Sequence, residues 1–341
     1  MAKQLRPFRE GTRQRRQFIS APSYSASATL TTELPRVGYL NRLVVAFAGT
    51  ITTTAAGALT DSGPWNLVNR FRVNTNIGST QLVDVSGFGL FIAQRFQNEA
   101  QSFDKAGVGD TVPSADIFAA AVASGANTWA LPYIIPIGAN VADEFEFGMI
   151  NLQSEQTRVT LDIVCGAVSD PNTNSNTITG TFSIWYEYYE VPDPRVFAQP
   201  PLTITRLVEE SQTVSATGDN PYTIPRQGVL MQAAGILRLN SLRSDGFSQT
   251  KVRFNKTDIA YTHDRVLNRI LDRTTQILNP VTGVVYEDFW YAQGLIGQGD
   301  ARDMIDLEEL STVEIICNIT TAPSGTSTYN VVRRIAQRLV K

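Results

Sequence analysis

The sequence predicts an all-β protein built from two tandem β-sandwich domains, each with about eight strands and one short helix. Residues 160–165 (TLDIVC) and 312–317 (TVEIIC) correspond position by position, and each ends in one of the only two cysteines. Both alternate polar and apolar residues, which is the pattern of a half-buried β-strand. A chain of 341 residues is long enough for two domains. A strand that occurs twice in it therefore indicates a duplicated domain.

Further segments correspond in the same order along the chain. They are 34–38 with 224–228, 71–74 with 252–255, and 149–152 with 304–307. The separation between matched residues falls from 190 at Pro35 and Pro225 to 152 at Cys165 and Cys317. Because surface loops tolerate changes in length, the second copy is the same fold with shorter connections. Prolines between 192 and 201 mark the linker, so we expect a basic N-terminal arm (1–21), a first domain (22–195) and a second domain (196–341).

The remaining elements follow from hydrophobic spacing. Strands are expected over 40–53, 65–74, 81–85, 129–136, 144–152 and 180–191, and helices over 87–100 and 264–274. Residues 101–128 are interpreted as a long surface loop that could hold a short helix at 115–122. Residues 331–340 could form a basic amphipathic helix or a closing strand. Their counterpart in the first copy is a strand, which favours the strand.

Charge is distributed unevenly, although the net charge is only −3. The first 20 residues contain a single acid, Glu10, and six basic residues: Lys3, Arg6, Arg9, Arg13, Arg15 and Arg16. The arm has no apolar periodicity, so we expect it to be extended or to become ordered only on contact. Two interpretations remain open. The arm is a solvated tail, or it contacts phosphate groups of lipid or nucleic acid.

The sequence offers no catalytic constellation. His263 is the only histidine, and its place at the start of a predicted helix suggests a capping or surface role. Both cysteines lie on apolar strand faces in different domains, so we expect two buried thiols rather than a disulfide. The acidic residues between 300 and 309 do not have the spacing of a calcium loop and are interpreted as a solvated face. No run of about 18 apolar residues occurs, so no transmembrane helix is predicted.

Together, the duplicated sandwich, the proline-marked linker and the basic arm resemble the double jelly-roll major capsid proteins of tailless, internal-membrane bacteriophages and of adenovirus-like viruses. The resemblance covers the whole chain and is architectural, since no short motif defines that family. It is carried by residues 34–36 and 224–226, by the strands that end at Cys165 and Cys317, and by the arm arginines Arg13, Arg15 and Arg16.

The resemblance implies two eight-stranded jelly rolls in a structural, non-enzymatic protein without cofactor, metal or small-molecule substrate. It implies a homotrimer of pseudo-hexagonal outline that is assembled in the host cytoplasm into an icosahedral virion shell. Its partners would be neighbouring capsomers and minor capsid or penton proteins. The arm would face an internal membrane, where it would meet lipid headgroups, or the genome, and residues 101–128 would face outward. Deleting residues 2–20 would then leave the trimer intact and weaken particle assembly or membrane association.

Two other classes of protein remain open at this stage. The first is a glycan-binding or glycan-cleaving protein of two β-sandwiches, in which Trp185 or Trp290 would stack on a sugar. Carboxylate pairs for glycan cleavage cannot be judged from sequence, because the distances between them are not visible. The second is a tailed-phage capsid or tail protein of another fold, which would need a long spine helix that the periodicity does not predict.

Overall fold

The computed structural model describes residues 13–76, 80–95, 121–140, 146–153, 157–190, 203–274, 281–289 and 304–338. Within these residues the chain is mostly β-strand, with two α-helices. It divides into two compact units: the main body of unit 1 ends at Arg206, and the main body of unit 2 is Leu207–Gln337. The all-β class predicted from the sequence is therefore confirmed.

Unit 1 contains short connecting strands as well as the long strands of its sheets. Its strands are β1 (Arg13–Ser20), β2 (Thr29–Glu33), β3 (Tyr39–Thr53), β4 (Gly57–Ala58), β5 (Val68–Thr75), β6 (Thr80–Val85), β7 (Ala121–Val122), β8 (Gly125–Pro136), β9 (Ala139–Asn140), β10 (Glu146–Phe147), β11 (Ile150–Asn151), β12 (Val159–Cys165) and β13 (Ser175–Glu190). A 3-10 helix (Trp65–Leu67) precedes β5, and helix α1 (Gly87–Arg95) follows β6.

The later part of the chain repeats this plan. Its strands are β14 (Thr203–Thr213), β15 (Gly218–Ile224), β16 (Val229–Leu239), β17 (Leu242–Arg243), β18 (Phe247–Phe254), β19 (Asp258–Asp264), β20 (Val284–Asp288), β21 (Ile305–Asp306), β22 (Val313–Ile319) and β23 (Thr328–Arg338). Helix α2 (Arg265–Thr274) follows β19. The closing strand favoured over a helix at 331–340 is thus present as β23.

Each unit has two four-stranded layers with the same order of strands. In unit 1 they run β1-β13-β3-β8 and β2-β12-β5-β6, and in unit 2 they run β14-β23-β16-β20 and β15-β22-β18-β19. Short strands β11 and β21 add to the ends of β3 and β16. Apolar side chains of both layers are buried, among them Phe47 and Phe71 in unit 1 and Val252 and Tyr329 in unit 2. Eight strands shared between two such layers define a jelly roll.

The duplication extends to the register of strand pairing. Asp162 of β12 lies opposite Arg72 of β5, and Glu314 of β22 lies opposite Arg253 of β18. The segments matched by sequence, 71–74 and 252–255, therefore occupy the same place in the two units. Cys165 and Cys317, which end the opening repeat, are both free and buried, as expected.

A turn with left-handed glycine geometry also recurs. Gly38 has φ +72° and Gly228 has φ +68°, a region that only glycine enters without strain. The carbonyl of Gly38 accepts a hydrogen bond from Leu152 at 2.8 Å, and that of Gly228 accepts one from Leu307 at 3.0 Å. The sequence matches 34–38/224–228 and 149–152/304–307 are thus two sides of one repeated contact.

The strands before these turns pair differently in the two units. Thr32 of β2 lies opposite Leu161, whereas Tyr222, its counterpart by the turn alignment, lies opposite Ile315. Ile315 corresponds to Ile163, so the pairing is shifted by two residues. A shift of two keeps each side chain on its face of the sheet, whereas a shift of one would exchange the faces.

Two expectations about unit 1 need correction. The strand predicted over 65–74 begins only at Val68, because the chain forms a 3-10 turn at Trp65–Leu67 after the Pro64 turn. The loop predicted over 101–128 ends earlier, since β8 begins at Gly125 and pairs with Thr53. Residues 125–128 are polar and show no strand pattern, but their pairing with β3 holds them in a strand. Residues 101–120 lie outside the described part. The last two residues of the short helix suggested at 115–122 form strand β7 instead.

Candidate functional site

The second half of the predicted arm is a strand of unit 1 rather than a tail. Strand β1 pairs antiparallel with β13 from Arg13, opposite Glu190, to Ser20, opposite Ile184. Phe18 meets Trp185 edge-on at 5.7 Å between ring centroids. Of the two expectations for the arm, residues 13–20 are extended, and they do not need a further contact to become ordered because they already pair within unit 1.

Carboxylates of β13 hold the arginines of β1. The guanidinium of Arg16 donates to the Glu187 carboxylate at 2.5 Å, and Arg42 of β3 contacts the same carboxylate from the next strand. Arg15 donates to Glu190 at 3.1 Å. The Glu187 side chain is only 2% exposed, so its charge is compensated by the two arginines beside it. These contacts fix β1 in place.

Strand β1 could have been predicted from its counterpart in the second copy, although the residues of β1 themselves show no strand pattern. Residues 14–18 of β1 are exposed, so β1 shows no apolar alternation. Its counterpart β14, however, has the burial pattern of a strand and lies at the same place in the repeat. Projecting β14 back onto the first copy would have predicted β1.

The six predicted arm residues therefore separate into two groups. Lys3, Arg6 and Arg9 lie outside the described residues. Arg13, Arg15 and Arg16 lie in β1, where Arg15 and Arg16 form ion pairs with carboxylates. No finding tests their contact with lipid or nucleic acid, which stays a prediction.

His263 does not cap helix α2, contrary to the sequence-based interpretation. The cap is Asp264, whose Oδ1 accepts a hydrogen bond from the backbone N of Leu267 at 2.8 Å. Ser86 caps α1 in the same way, through the N–H of Gly89 at 2.9 Å. Both bonds satisfy an otherwise unpaired N–H at the helix start. His263 is instead the penultimate residue of strand β19.

A polar cluster in unit 2 surrounds His263. Its Nδ1 lies 3.6 Å from the Glu287 carboxylate of β20, and Thr250 of β18 donates to the other oxygen of Glu287 at 3.2 Å. Asn268 of α2 donates to the Thr250 hydroxyl at 3.0 Å. The neighbouring Glu287 carboxylate raises the pKa of His263 above its usual value, and burial opposes that shift. The cluster joins β18, β19, β20 and α2, and its Thr250 is completely buried.

We predict that the pair of His263 with Glu287 stabilises unit 2 more at acidic than at alkaline pH. A raised folded-state pKa gives a stabilisation that is complete below the unfolded pKa of about 6.5 and is lost as pH rises through the folded pKa. The difference in free energy of unfolding between wild type and His263→Gln should therefore be larger at about pH 5.5 than at about pH 8.5. Denaturant titrations at both pH values measure it. A difference that grows with pH would contradict the prediction, and Glu287→Gln should abolish the pH dependence in the same way.

The remaining candidates from the sequence are a metal site, the acidic stretch and the two tryptophans. No group of three or more His, Cys, Asp or Glu residues that could hold a metal ion occurs among these residues. Asp306 and Glu308 of the acidic stretch accept hydrogen bonds from backbone N–H groups, of Glu308 and Gly228 respectively. Trp185 is half-buried beneath Phe18, and Trp290 lies outside the described residues. Neither described helix has the length and apolar character needed to cross a bilayer.

An exposed apolar surface is present on unit 2. Val266, Leu267 and Ile270 of α2, together called the α2 face, are 65%, 38% and 51% exposed. In α1, by contrast, Leu90, Phe91 and Ile92 are completely buried. Helical spacing at 264–274 was predicted correctly, but the spacing did not reveal that this face is exposed to solvent.

The pairing pattern and the strand order define the class of fold, which is a tandem double jelly roll. No family model matches the chain, and no curated protein matches it significantly in sequence. Solved structures do match over nearly the whole chain. The STIV MCP has a TM-score of 0.73 at 16% identity, with 96% of this chain and 97% of that chain covered. The corresponding chain in the atomic structure of Sulfolobus Turreted Icosahedral Virus has a TM-score of 0.72 at 15% identity, with 96% and 91% covered.

A more distant match is the major capsid protein P2 of bacteriophage PM2. It has a TM-score of 0.54 at 10% identity, with 96% of this chain and 99% of that chain covered. These matches confirm that the chain has the double jelly-roll fold of viral major capsid proteins. At these identities the likeness concerns the fold, and what the chain does is a separate question.

Proposed function

We propose that this protein is a structural major capsid protein of an icosahedral virus with a double jelly-roll shell. The observation that carries the proposal is the match to the STIV MCP across 96% of this chain and 97% of that chain, with both jelly rolls present. A fold on its own supports many functions.

The proposed mechanism is self-assembly. Three copies form a trimer of pseudo-hexagonal outline, because two similar units in each of three copies present six similar bodies around one axis. Contacts between unlike surfaces of neighbouring copies close such a ring. Trimers then pack against neighbouring capsomers and minor capsid or penton proteins in the virion, after synthesis and assembly in the host cytoplasm.

The purified protein tests this proposal directly. Negative-stain microscopy and light scattering should show particles of hexagonal outline with the mass of three chains, or closed shells. A protein that stays monomeric at all concentrations would contradict the capsid function. A glycan array supplies the control for the alternative class, because specific sugar binding that is lost in Trp185→Ala would favour a lectin instead.

The basic residues before β1 form a second part of the proposal, in which they contact an anionic surface inside the particle. The deletion of residues 2–20 suggested by the sequence would also remove β1 and its ion pairs with Glu187 and Glu190. The informative deletion is therefore 2–12, which leaves β1 intact.

We predict that replacing Lys3, Arg6 and Arg9 with Gln weakens binding to vesicles that contain phosphatidylserine. Each basic residue near an anionic membrane contributes about 1 kcal/mol, so the triple variant should bind roughly a hundredfold more weakly at low salt. Vesicle flotation at low and high salt measures the effect. Arg15→Gln is the matched control, since Arg15 is already paired with Glu190 and should change binding little. Equal flotation of wild type and triple variant would contradict lipid binding by these residues. The same comparison with single-stranded nucleic acid tests whether the genome is the partner instead.

A further inference from the structure

Helices α1 and α2 occupy equivalent positions in the two units, but their apolar side chains differ in how far they are exposed to solvent. Each follows the last strand of a four-stranded layer, β6 or β19, and each begins with the same type of side-chain cap. The apolar residues of α1 are buried, whereas the α2 face is exposed. Exposed apolar residues grouped on one helix face indicate a surface that another protein covers.

The strands before these helices also differ in whether their outer edge is in contact with another part of the chain. In unit 1, β6 pairs with β5, and the carbonyl of Gln81 in β6 accepts a hydrogen bond from Arg206 Nε at 3.1 Å. In unit 2, β19 pairs with β18 and with no other described strand. Residues along β19 are exposed, including Ile259 at 50%. An open strand edge of this kind is a template for pairing with another chain.

We infer that β19 and the α2 face bind a second copy of this chain, and that strand β1 of the second copy lies along β19. Strand β1 occupies, beside β13, the position that β14 occupies beside β23. Its other edge has no partner among the described strands, and its Phe18 is 51% exposed. The second copy thus supplies to the open edge of β19 a strand whose own outer edge is open among the described strands.

Strand β1 is suited to this role because it is already ordered. Its pairing with β13 and the contacts of Arg15 and Arg16 with Glu190 and Glu187 hold its backbone extended. A preformed strand loses less conformational entropy on binding than a disordered tail would. Main-chain hydrogen bonds along the edge would give affinity, and apolar contacts at α2 would give specificity.

The inferred contact joins two different surfaces, one in unit 2 and one in unit 1. When copies associate through such a contact, the first and last copies of the row still have one of the two surfaces free. Further copies can therefore add until the row closes into a ring. The inference deepens the proposed capsid function by naming the surfaces that would close its trimer. It rests on that function for the number of copies.

Crosslinking tests which surfaces meet. Both native cysteines are buried, so introduced surface cysteines react selectively. The double variant Phe18→Cys/Ile259→Cys, treated with a short bismaleimide, should give covalent dimers and trimers on a denaturing gel. Each single variant should give only monomer, because neither residue would meet its own counterpart. Crosslinking of a single variant, or no intermolecular product from the double variant, would overturn the inference.

Assembly measurements test the α2 face independently. Val266→Asp/Ile270→Asp places charge on exposed positions, so each chain should fold normally by circular dichroism while self-association weakens by roughly a hundredfold. Leu242→Asp is the matched control, because Leu242 is 60% exposed but lies on β17, in the other sheet of unit 2. If wild type forms trimers and the double aspartate variant forms them equally well, the inference fails while the capsid proposal stands. If wild type itself never associates, both fail.

Discussion

Replacing Trp65 by Ala is expected to lower the free energy of unfolding of unit 1 by about 4 kcal/mol. Trp65 is 1% exposed and stacks on Phe91 of α1 at 4.4 Å between ring centroids. Tyr133 of β8 meets it edge-on at 5.6 Å and donates to its carbonyl at 3.2 Å. The residue thus joins the 3-10 turn, the helix and a strand. Truncation removes the apolar burial and leaves a cavity that these three elements cannot close.

Urea denaturation followed by circular dichroism measures this loss. The two units can unfold in separate transitions, and only the transition of unit 1 should then shift to lower urea concentration. Trp65→Phe keeps much of the buried ring and should cost less than half as much. A loss below about 1 kcal/mol for Trp65→Ala would show that the site relaxes freely, contrary to the packing described.

Replacing Arg333 by Met is expected to destabilise unit 2 by about 3 kcal/mol. The Arg333 side chain is 6% exposed, and its guanidinium donates to Glu210 at 2.6 Å and contacts the Tyr222 hydroxyl. The Tyr222 hydroxyl also donates to Glu210, and burial raises the Tyr222 pKa well above 10. Methionine fills much of the space but donates no hydrogen bond, so Tyr222 and Glu210 lose the cation between them.

A double-mutant cycle with Glu210→Gln separates the pair from the packing. Glu210 is 44% exposed, so its removal alone should cost less than removal of Arg333. The two losses should not add, since either change breaks the same contact. Additive losses would mean that Arg333 stabilises unit 2 through its aliphatic stem alone.

The strands and the duplication could be predicted because their signals are local or repeated. The period-two pattern at 160–165 follows directly from burial of one face of a sheet. Its counterpart at 313–317 is buried on both faces, so the half-buried strand expected there from the sequence is wrong for the second copy. Strand β1 could not be predicted in this way, because its side chains are exposed and its stability comes from pairing with β13. Long-range pairing of this kind overrides local composition.

The candidate site was predictable only in part. The basic composition of the arm is visible in the sequence, but the partners of Arg15 and Arg16 lie more than 170 residues away. Helical spacing placed Val266, Leu267 and Ile270 on one face of a helix. Spacing predicts that a face is apolar, and only the structure shows whether the same chain covers it. Asp264 rather than His263 caps α2 because β19 continues to Asp264, the residue at which the helix was predicted to start.

The two-residue offset in pairing between β2 and β15 has a consequence for how this fold can change over time. Since the two copies differ there by an even step, the inner and outer faces of the strand are preserved despite the displacement. Insertions or deletions before this turn should therefore be tolerated in pairs of residues, whereas an odd change would need a compensating bulge. Among natural variants of the protein, lengths at this position should differ by even numbers.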